Sequence, residues 1–262
     1  MDSIRMPFDI NNFPILHYDP EVNALLNPCD TCKDIQLPKH VVMCFFRDVI
    51  SKVVEEHQAE MVFFNKTEAS DHPFYVFEHQ GKKVAFFVPG VGAPLSAGLM
   101  EEAIQMGGRH FVAVGGCGVL DADIDTGQVL VPTRAIRGEG TSYHYLPATA
   151  EIAMNYRAQL AIEMTLKKHE IPFLEVKTWT TDAFYRETPA KVALYREQGA
   201  SIVEMEAAAF MAVAEFRNVE FGQIVYGGDL VHPDGWDKRG WHTKADVREK
   251  LFWLAVEACL AL

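Results

Sequence analysis

Apolar residues occur along this chain with two spacings: short runs, and longer stretches in which they recur every three or four residues. The short runs predict strands and the longer stretches predict helices, because side chains alternate across a strand and repeat about every 3.6 residues along a helix. The predicted strands are residues 41–46, 61–64, 74–78, 83–88, 110–114, 128–132, 173–180, 202–203 and 221–226. The predicted helices are residues 94–106, 148–169, 190–198, 207–216 and 244–262.

Strands that alternate with helices predict a central sheet covered by helices on both faces. Residues 1–36 depart from this pattern, since four prolines interrupt them and neither spacing persists. No linker, low-complexity tract or internal repeat divides the rest of the sequence. We therefore predict an irregular N-terminal arm over residues 1–36 and a single α/β domain over residues 37–262.

The composition fits a globular protein whose ligands are small. The chain has 262 residues, 49% of them hydrophobic, and a formal net charge of −12. Such a surface repels nucleic-acid backbones, whereas a few local donors still suffice to bind one small anion. The sequence shows no signal peptide and no apolar run long enough for a membrane span. We expect a cytoplasmic protein that binds neither nucleic acid nor membrane.

The cysteines do not indicate a disulfide framework. There are five of them, an odd number at irregular spacing, which is not typical of a small secreted protein. Cys29 and Cys32 form a Cys-x-x-Cys pair without a second ligand pair or a helix beside it. We interpret the pair as reduced residues of a loop.

Potential metal ligands cluster near the C-terminal end of the chain. They lack the regular spacing of a metal site and lie among Pro, Gly and Trp residues; they are His232, Asp234, Asp237 and His242. We interpret residues 231–242 as a surface loop that closes over a site, with Trp236 and Trp241 shielding a ligand from water. We therefore expect no metal and no organic cofactor.

Two glycine-rich segments follow predicted strands, and strand ends are where α/β folds bind ligands. Residues 89–94 read Pro-Gly-Val-Gly-Ala-Pro before a predicted helix, and residues 114–118 read Val-Gly-Gly-Cys-Gly. Glycines allow close approach of a ligand, and a helix N-terminus favours an anion. A tight turn or close packing explains these glycines equally well, so they leave a ligand site undecided.

Acidic side chains stand at the ends of two later strands. Glu204 and Glu206 flank Met205 before an alanine-rich helix, where a carboxylate can complement the helix dipole or bind sugar hydroxyls. Asp229 follows a strand and two glycines, where an acid can donate a proton or cap a turn. Each motif alone fits either a structural or a catalytic role.

Taken in order, these motifs resemble the nucleoside phosphorylase family, in the branch of bacterial purine nucleoside phosphorylase, uridine phosphorylase and methylthioadenosine nucleosidase. The similar segments are Pro-Gly-x-Gly-x-Pro, x-Gly-x-Cys-Gly, Asp-x-Phe-Tyr, Val-Glu-Met-Glu-Ala-Ala and a later Asp, over residues 84–230. The Val-Glu-Met-Glu-Ala-Ala segment is the most specific of them. The resemblance implies a three-layer αβα fold around a mixed sheet. It also implies a homo-oligomer, a dimer or hexamer whose neighbouring subunits complete each other's sites.

The resemblance assigns the sugar contacts to one segment. Glu206 matches the family glutamate that grips the ribose hydroxyls, and Met205 lies against the sugar. Val203 and Glu204 line the base and sugar side of the same site.

The remaining contacts come from other parts of the chain. By the resemblance, Phe184 stacks on the base and Asp229 protonates or hydrogen-bonds the purine ring nitrogen. Gly116 and Cys117 contact the substrate from the second glycine-rich segment, and His17 reaches the sugar 5′ end in a partner subunit.

Residues missing from this sequence indicate the base. The pyrimidine branch of the family places a Gln and an Arg shortly after its Phe-Tyr pair, where this chain has Thr188 and Ala190. That branch also lacks an acid at the position of Asp229. We therefore expect a purine nucleoside as substrate.

The phosphate site departs from the family pattern. Phosphorylases of this branch carry Gly-Asp-Pro-x-Arg after the first strand, and an Arg and a hydroxyl residue where this chain has Ala113 and Gly116. Losing bidentate arginine contacts is a large chemical change for phosphate binding. The remaining phosphate candidates are Gly90, Gly92, Arg47, Arg137 and His144.

Three functions therefore stay open. The first is phosphorolysis of a purine nucleoside to the free base and ribose 1-phosphate, and the second is hydrolysis by water, as in the nucleosidases. The third is nucleoside binding without turnover. In the first two, an acid facing the base and a carboxylate on the sugar would stabilise the positively charged transition state.

Overall fold

The computed structural model describes residues 13–28, 32, 34–241 and 244–262. Their strands are β1 (His40–Cys44), β2 (Glu60–Lys66), β3 (Asp71–His79), β4 (Lys82–Phe87), β5 (His110–Val119), β6 (Val129–Gly138), β7 (Glu151–Ala153), β8 (Phe173–Thr181), β9 (Ala200–Glu204), β10 (Glu220–His232) and β11 (Gly235–Asp237). Their α-helices are α1 (Arg47–Glu56), α2 (Ala93–Gln105), α3 (Tyr156–Lys168), α4 (Pro189–Glu197), α5 (Ala207–Arg217) and α6 (Ala245–Leu260). Short 3₁₀ helices lie at Pro14–Leu16, Thr141–His144 and Phe184–Arg186.

All of these strands belong to one mixed sheet in the order β11-β10-β6-β8-β9-β5-β1-β4-β3-β2, with β7 beside β6. β10 pairs with both β6 and β5, so that β5, β10, β6, β8 and β9 form a closed ring of pairings. β4, β1, β5 and β10 run parallel, whereas β9 is antiparallel to β5. The ends of β5, β9 and β10 therefore meet at the ring, where the predicted site residues lie.

Helices cover both faces of the sheet. On β10, Phe221 packs against Phe210 of α5 with ring centroids 5.2 Å apart. The next residue, Gly222, faces Ala158 and Ile162 of α3. Consecutive strand residues point to opposite faces, so α5 and α3 lie on opposite sides of the sheet. The expected three-layer αβα fold around a mixed sheet is confirmed.

The helix predicted at residues 148–169 is shorter than expected. Residues Glu151–Ala153 form strand β7, in which Ile152 pairs with Ala135 of β6. Helix α3 begins at Tyr156, where the side chain of Asn155 accepts a hydrogen bond from the Ala158 N–H. An Asn cap of this kind satisfies an orphan amide of the first turn and fixes where the helix starts.

Helix α1 (Arg47–Glu56) was not predicted. It buries Val49, Ile50 and Val53 on one face, and Arg47 and Asp48 at its start are exposed. Its apolar stripe is only three residues wide and directly follows a strand. The apolar run predicted as a strand over residues 41–46 therefore hid the change from strand spacing to helical spacing at residue 47.

The second glycine-rich segment is part of strand β5, which was predicted to end at residue 114. Gly115 and Gly116 pair with Val225 and Tyr226 of β10, inside the ladder. Beyond Gly227 the register shifts, so that Gly228 and Asp229 stand opposite the single residue Gly118. Two residues opposite one make a β-bulge, which bends a strand and re-aims its side chains. The strand predicted to end at residue 226 thus continues to His232.

Candidate active site

The first glycine-rich turn is joined to Glu206. The Gly92 N–H, at the start of α2, donates to Glu206 Oε1 at 2.5 Å. Gly90 and Gly92 have φ angles of +77° and +95°, which favour glycine. A methyl group on Gly90 would overlap the Leu95 side chain. These glycines therefore permit the turn that brings a backbone donor onto the buried carboxyl of Glu206.

Glu204 is fully engaged within its own chain. Its Oε1 accepts from the hydroxyls of Thr178 and Thr180, at 3.1 and 2.6 Å. Its Oε2 accepts from the N–H groups of Glu206 and Ala207, at 2.7 and 2.6 Å. These bonds fix the start of α5 and the orientation of Glu206. A direct contact of Glu204 with base or sugar stays a prediction, and the geometry favours a supporting role.

The buried carboxyl of Glu206 is hard to ionise. Burial, followed by the negative charge of Glu204, raises the pKa of Glu206 to about 8, against the Gly92 hydrogen bond, which lowers it. The charge of Asp182 acts in the raising direction as well. Asp182 accepts from the Gly140 N–H at 2.8 Å, so it ties the segment before Phe184 to this site. Sequence analysis had assigned Asp182 no role.

Asp229 lies on the bulge of β10, close to the Glu204 segment. Both carboxylates act on Cys117: burial is the largest cause that raises the pKa of this thiol, followed by the charges of Glu204 and Asp229. Cys117 is 6% exposed, and its Sγ donates to Tyr226 O at 3.4 Å. The charges of Asp229 and Glu204 thus both act on one buried residue of β5, Cys117. Glu206 follows Glu204 by two residues in the sequence.

Apolar residues border the same region. A methyl group on Gly118 would lie 2.9 Å from Val203 Cγ1 and 3.3 Å from Val231 Cγ2, so these valines flank the glycine. Phe184 is 50% exposed, and its ring lies 4.1 Å from that of Tyr185. An exposed aromatic ring is available for stacking, which is the role predicted for Phe184.

Arg47 and Gly90 share a neighbour that sequence analysis missed. His72 lies near Gly90, with 3.9 Å between its Cε1 and a methyl group on that glycine. Burial, followed by the positive charge of Arg47, lowers the pKa of His72. His72 Nε2 is also hydrogen-bonded to Ser70 Oγ at 2.8 Å. Arg47, His72 and the Gly90 turn therefore form one group, although no sequence motif marks His72.

The guanidinium of Arg137 is bound within its own chain. It donates to Ser142 Oγ, to Thr149 Oγ1 and to the carbonyls of Leu146 and Pro147, at 2.7–3.2 Å. The residue is 5% exposed. A phosphate contact by Arg137 stays a prediction, and this geometry favours a structural role.

Aromatic rings cover Gly116, where the expected hydroxyl residue is missing, and its neighbour Gly115. Phe45 lies 3.1 Å from a methyl group on Gly115, and Tyr226 lies 3.4 Å from one on Gly116. Arg248 donates to the Tyr226 hydroxyl at 3.2 Å. Space beside β1 that could hold an anion is therefore partly filled by side chains.

The arm contacts the domain near the site. Ile15 Cδ1 lies 3.3 Å from a methyl group on Gly140, and His17 follows at the end of the same 3₁₀ helix. The proposed reach of His17 into a partner subunit stays a prediction. Cys32 is buried, and its Sγ donates a hydrogen bond to Pro28 O at 3.1 Å. Cys29 lies outside the described residues.

The region interpreted as a lid is partly a hairpin. β10 and β11 pair through Leu230 and Asp237, and His232 Nδ1 lies 3.1 Å from Asp234 Oδ2. His242 lies outside the described residues. Within the described ranges, no group of three His, Cys, Asp or Glu side chains is placed to hold a metal ion. In the same ranges, no helix is long and apolar enough to span a bilayer.

Comparisons with known proteins agree with the fold. The family model described as Phosphorylase superfamily matches residues 39–251. The guanosine phosphorylase of Halorubrum lacusprofundi is 29% identical over 154 residues, 58% of this chain and 64% of that protein. For this and two further curated relatives, the aligned part covers 42% to 64% of their length.

Two solved structures share the fold. Uridine phosphorylase from Vibrio fischeri has a TM-score of 0.73 at 19% identity, over 87% of this chain and 94% of that one. AMP nucleosidase from Bacteroides thetaiotaomicron has a TM-score of 0.68 at 21% identity, over 87% and 88%. At these identities the likeness establishes the fold alone. Because the family model covers most of its length, this chain belongs to the phosphorylase superfamily.

Proposed function

We propose that this protein cleaves the N-glycosidic bond of a purine nucleoside by phosphorolysis, which yields the free base and ribose 1-phosphate. One observation carries the proposal: the bulged Asp229 stands opposite Gly118, Gly118 pairs with Val203, and the segment that follows Val203 holds Glu204 and Glu206. This adjacency supports our assignment of a group for the base and a group for the sugar to one nucleoside.

The proposed roles follow from this placement. Glu206 binds the ribose hydroxyls beside Met205 and Val203, and Phe184 covers the base. Asp229 gives a proton to the base as the glycosidic bond breaks, because the base leaves poorly as an anion. General acid help of this kind supplies a factor of about 10²–10⁴ in rate. The Glu206 carboxyl, held by the Gly92 N–H, positions the sugar for attack at the anomeric carbon.

Phosphate binding is assigned to the group formed by Arg47, His72 and the Gly90–Gly92 turn. Arg47 is exposed, and its charge reaches His72, which lies against Gly90. Backbone N–H groups at the start of a helix favour an anion, and an arginine adds charge-assisted hydrogen bonds. The Gly92 N–H donates to Glu206 Oε1, and this contact between the two segments supports assigning phosphate and sugar to adjoining sites.

The purine preference rests on Asp229 and on the absence of the Gln and Arg that read a pyrimidine. Thr188 caps α4 by accepting from the Lys191 N–H, at 3.5 Å, and Ala190 has no polar side chain. The guanosine phosphorylase that resembles this chain is named for a purine nucleoside, and the uridine phosphorylase for a pyrimidine one. The substrate therefore has to be determined by assay.

A second candidate is hydrolysis with water as the nucleophile. The observation in its favour is that Arg137 is bound internally while Phe45 and Tyr226 cover the second glycine segment. These contacts leave Arg47 as the one predicted arginine that is exposed near the Gly90 turn. The fold is also shared with an AMP nucleosidase.

One assay separates these possibilities. Purified protein is incubated with inosine, guanosine, adenosine or uridine, with and without inorganic phosphate, and the free base is measured. Phosphate-dependent release from a purine nucleoside supports the proposal. Phosphate-independent release supports the nucleosidase, and nucleoside binding without release refutes both. Release from uridine but from no purine nucleoside overturns the base preference.

Variants test the assigned residues in the same assay. Asp229→Asn and Glu206→Gln are each expected to lower base release at least about 100-fold, the lower end of general acid catalysis. Asp234→Asn is the matched control, because its side chain is 91% exposed on the same hairpin. Homo-oligomeric assembly and a cytoplasmic location stay predictions of the sequence.

A further inference from the structure

Asp229 is contacted by a tryptophan that the sequence had placed in a lid. The Trp236 indole Nε1 donates to Asp229 Oδ2, with 2.6 Å between the two atoms. The β10–β11 hairpin brings them together, because Val231 pairs with Trp236 and Leu230 with Asp237. Within the described part of the chain, this indole is the one side chain that donates to the Asp229 carboxyl.

Packing does not account for the position of Trp236. The residue is 64% exposed, so its burial contributes little to the stability of the fold. The bulge at Gly228 and Asp229 and the hairpin that returns Trp236 belong to the same stretch of β10 and β11. The local backbone therefore sets both the direction of the carboxyl and the position of its donor.

The hydrogen bond distinguishes the two oxygens of Asp229. An indole N–H donates and cannot accept. A protonated carboxyl has one oxygen that only accepts and one that carries the proton. The oxygen that accepts from the indole is Oδ2, so the proton of the acid form is directed to Oδ1. A proton fixed on one oxygen has a defined direction toward a substrate.

The charge of Asp229 also acts on a second carboxyl, that of Glu187. Glu187 follows the 3₁₀ helix Phe184–Arg186, and its N–H donates to Phe184 O at 3.2 Å. Burial, followed by the negative charge of Asp229, raises the pKa of Glu187 to about 7.

We propose that Trp236 is a positioning residue for Asp229: it holds Oδ2 as an acceptor, so that Oδ1 delivers the proton to the base. The inference rests on the proposed function. As the glycosidic C–N bond breaks, its electron pair goes to the base and the nucleophile bonds to the anomeric carbon. The Oδ1 proton moves to a ring nitrogen of the base and leaves Asp229 as a carboxylate, which solvent water protonates again before the next turnover.

The first test removes the indole N–H and keeps an aromatic ring. Trp236→Phe is expected to lower kcat roughly tenfold with little change in KM, a part of the factor of about 10²–10⁴ that an acid supplies. Trp253→Phe, on α6 and packed against Phe77 and Phe252, is the matched control and is expected to keep kcat. Thermal unfolding of each variant checks that it is folded.

A double-mutant cycle shows whether Trp236 acts through Asp229. In the Asp229→Asn background, Trp236→Phe is expected to cause no further loss of kcat, because the proton is already absent. The same tenfold loss in both backgrounds, or a change in KM alone, overturns the positioning role. If Asp229→Asn by itself keeps full turnover, the proposed function fails instead, so the two failures are distinguishable.

Discussion

The Gly92 N–H donates to the Glu206 carboxyl across 114 residues of sequence. This bond connects the start of α2, which is an electropositive helix end, with a buried acid at the start of α5. The first glycine-rich turn and the Val-Glu-Met-Glu segment are therefore one unit of structure. A ligand anion and a sugar hydroxyl would both meet this unit, and four predictions follow from its contacts.

Replacing Gly90 by Ala tests the packing of the turn. Gly90 and Gly81 have nearly equal φ angles, +77° and +75°, but only Gly90 lies against Leu95, whereas nothing lies within 4 Å of a methyl group on Gly81. Gly81→Ala is expected to cost about 1 kcal/mol from backbone strain alone. Gly90→Ala is expected to cost about 1–3 kcal/mol more, from overpacking. If urea unfolding gives the same loss of unfolding free energy for Gly90→Ala and Gly81→Ala, the Leu95 side chain moves aside without cost.

Truncation of Glu204 tests its supporting role. Glu204→Ala leaves two threonine hydroxyls and two backbone N–H groups without their acceptor. We expect a loss of about 3 kcal/mol or more in the free energy of unfolding, since buried donors lose their partner. Glu197→Ala, an exposed residue of α4, is the control and should change stability by less than about 0.5 kcal/mol. A loss as small as the control's would contradict the structural assignment.

The pH dependence of stability tests the environment of Glu206. Its pKa is raised to about 8 in the folded chain, from an ordinary 4.5, chiefly by burial and by Glu204. A raised pKa means that the neutral form is favoured on folding, so this contribution is complete below the ordinary pKa and is lost as pH rises to about 8. The native chain should therefore lose stability relative to Glu206→Gln between pH 5 and 8. Parallel unfolding curves for both proteins would contradict the raised pKa.

Substitution of Arg47 tests the phosphate assignment. Arg47→Ala is expected to raise the KM for phosphate about tenfold or more, because it removes a charge-assisted contact, and to leave the nucleoside KM nearly unchanged. Lys66→Ala removes an exposed charge from β2 and serves as the control. An equal rise in both variants would indicate a general effect of net charge. If neither variant changes the phosphate KM, the anion binds elsewhere.

The sequence predicted the layered α/β fold because alternating strand and helix periods depend on local spacing. It also identified the segments of Glu206 and Asp229 through their order along the chain. It missed α1, whose short apolar stripe directly follows a strand. It began α3 too early, since strand β7 just before that helix depends on pairing with the distant β6. His72 and Glu187 had no motif, because only folding brings His72 near the Gly90 turn and Glu187 within the influence of the Asp229 charge. Asp182 belongs to the Asp-x-Phe-Tyr motif, but only folding brings it to the Gly140 N–H.

The amino-acid sequence by itself determined the layered architecture and the residue types at the strand ends, because these follow from periodicity and from the chemistry of each side chain. The tertiary structure alone decided which of those groups form hydrogen bonds within the chain. It bound Glu204 and Arg137 within the chain, aimed Asp229 through a bulge and placed Trp236 on one of its oxygens. Hydrogen bonds and burial between segments far apart in sequence set these outcomes, and no local pattern encodes them.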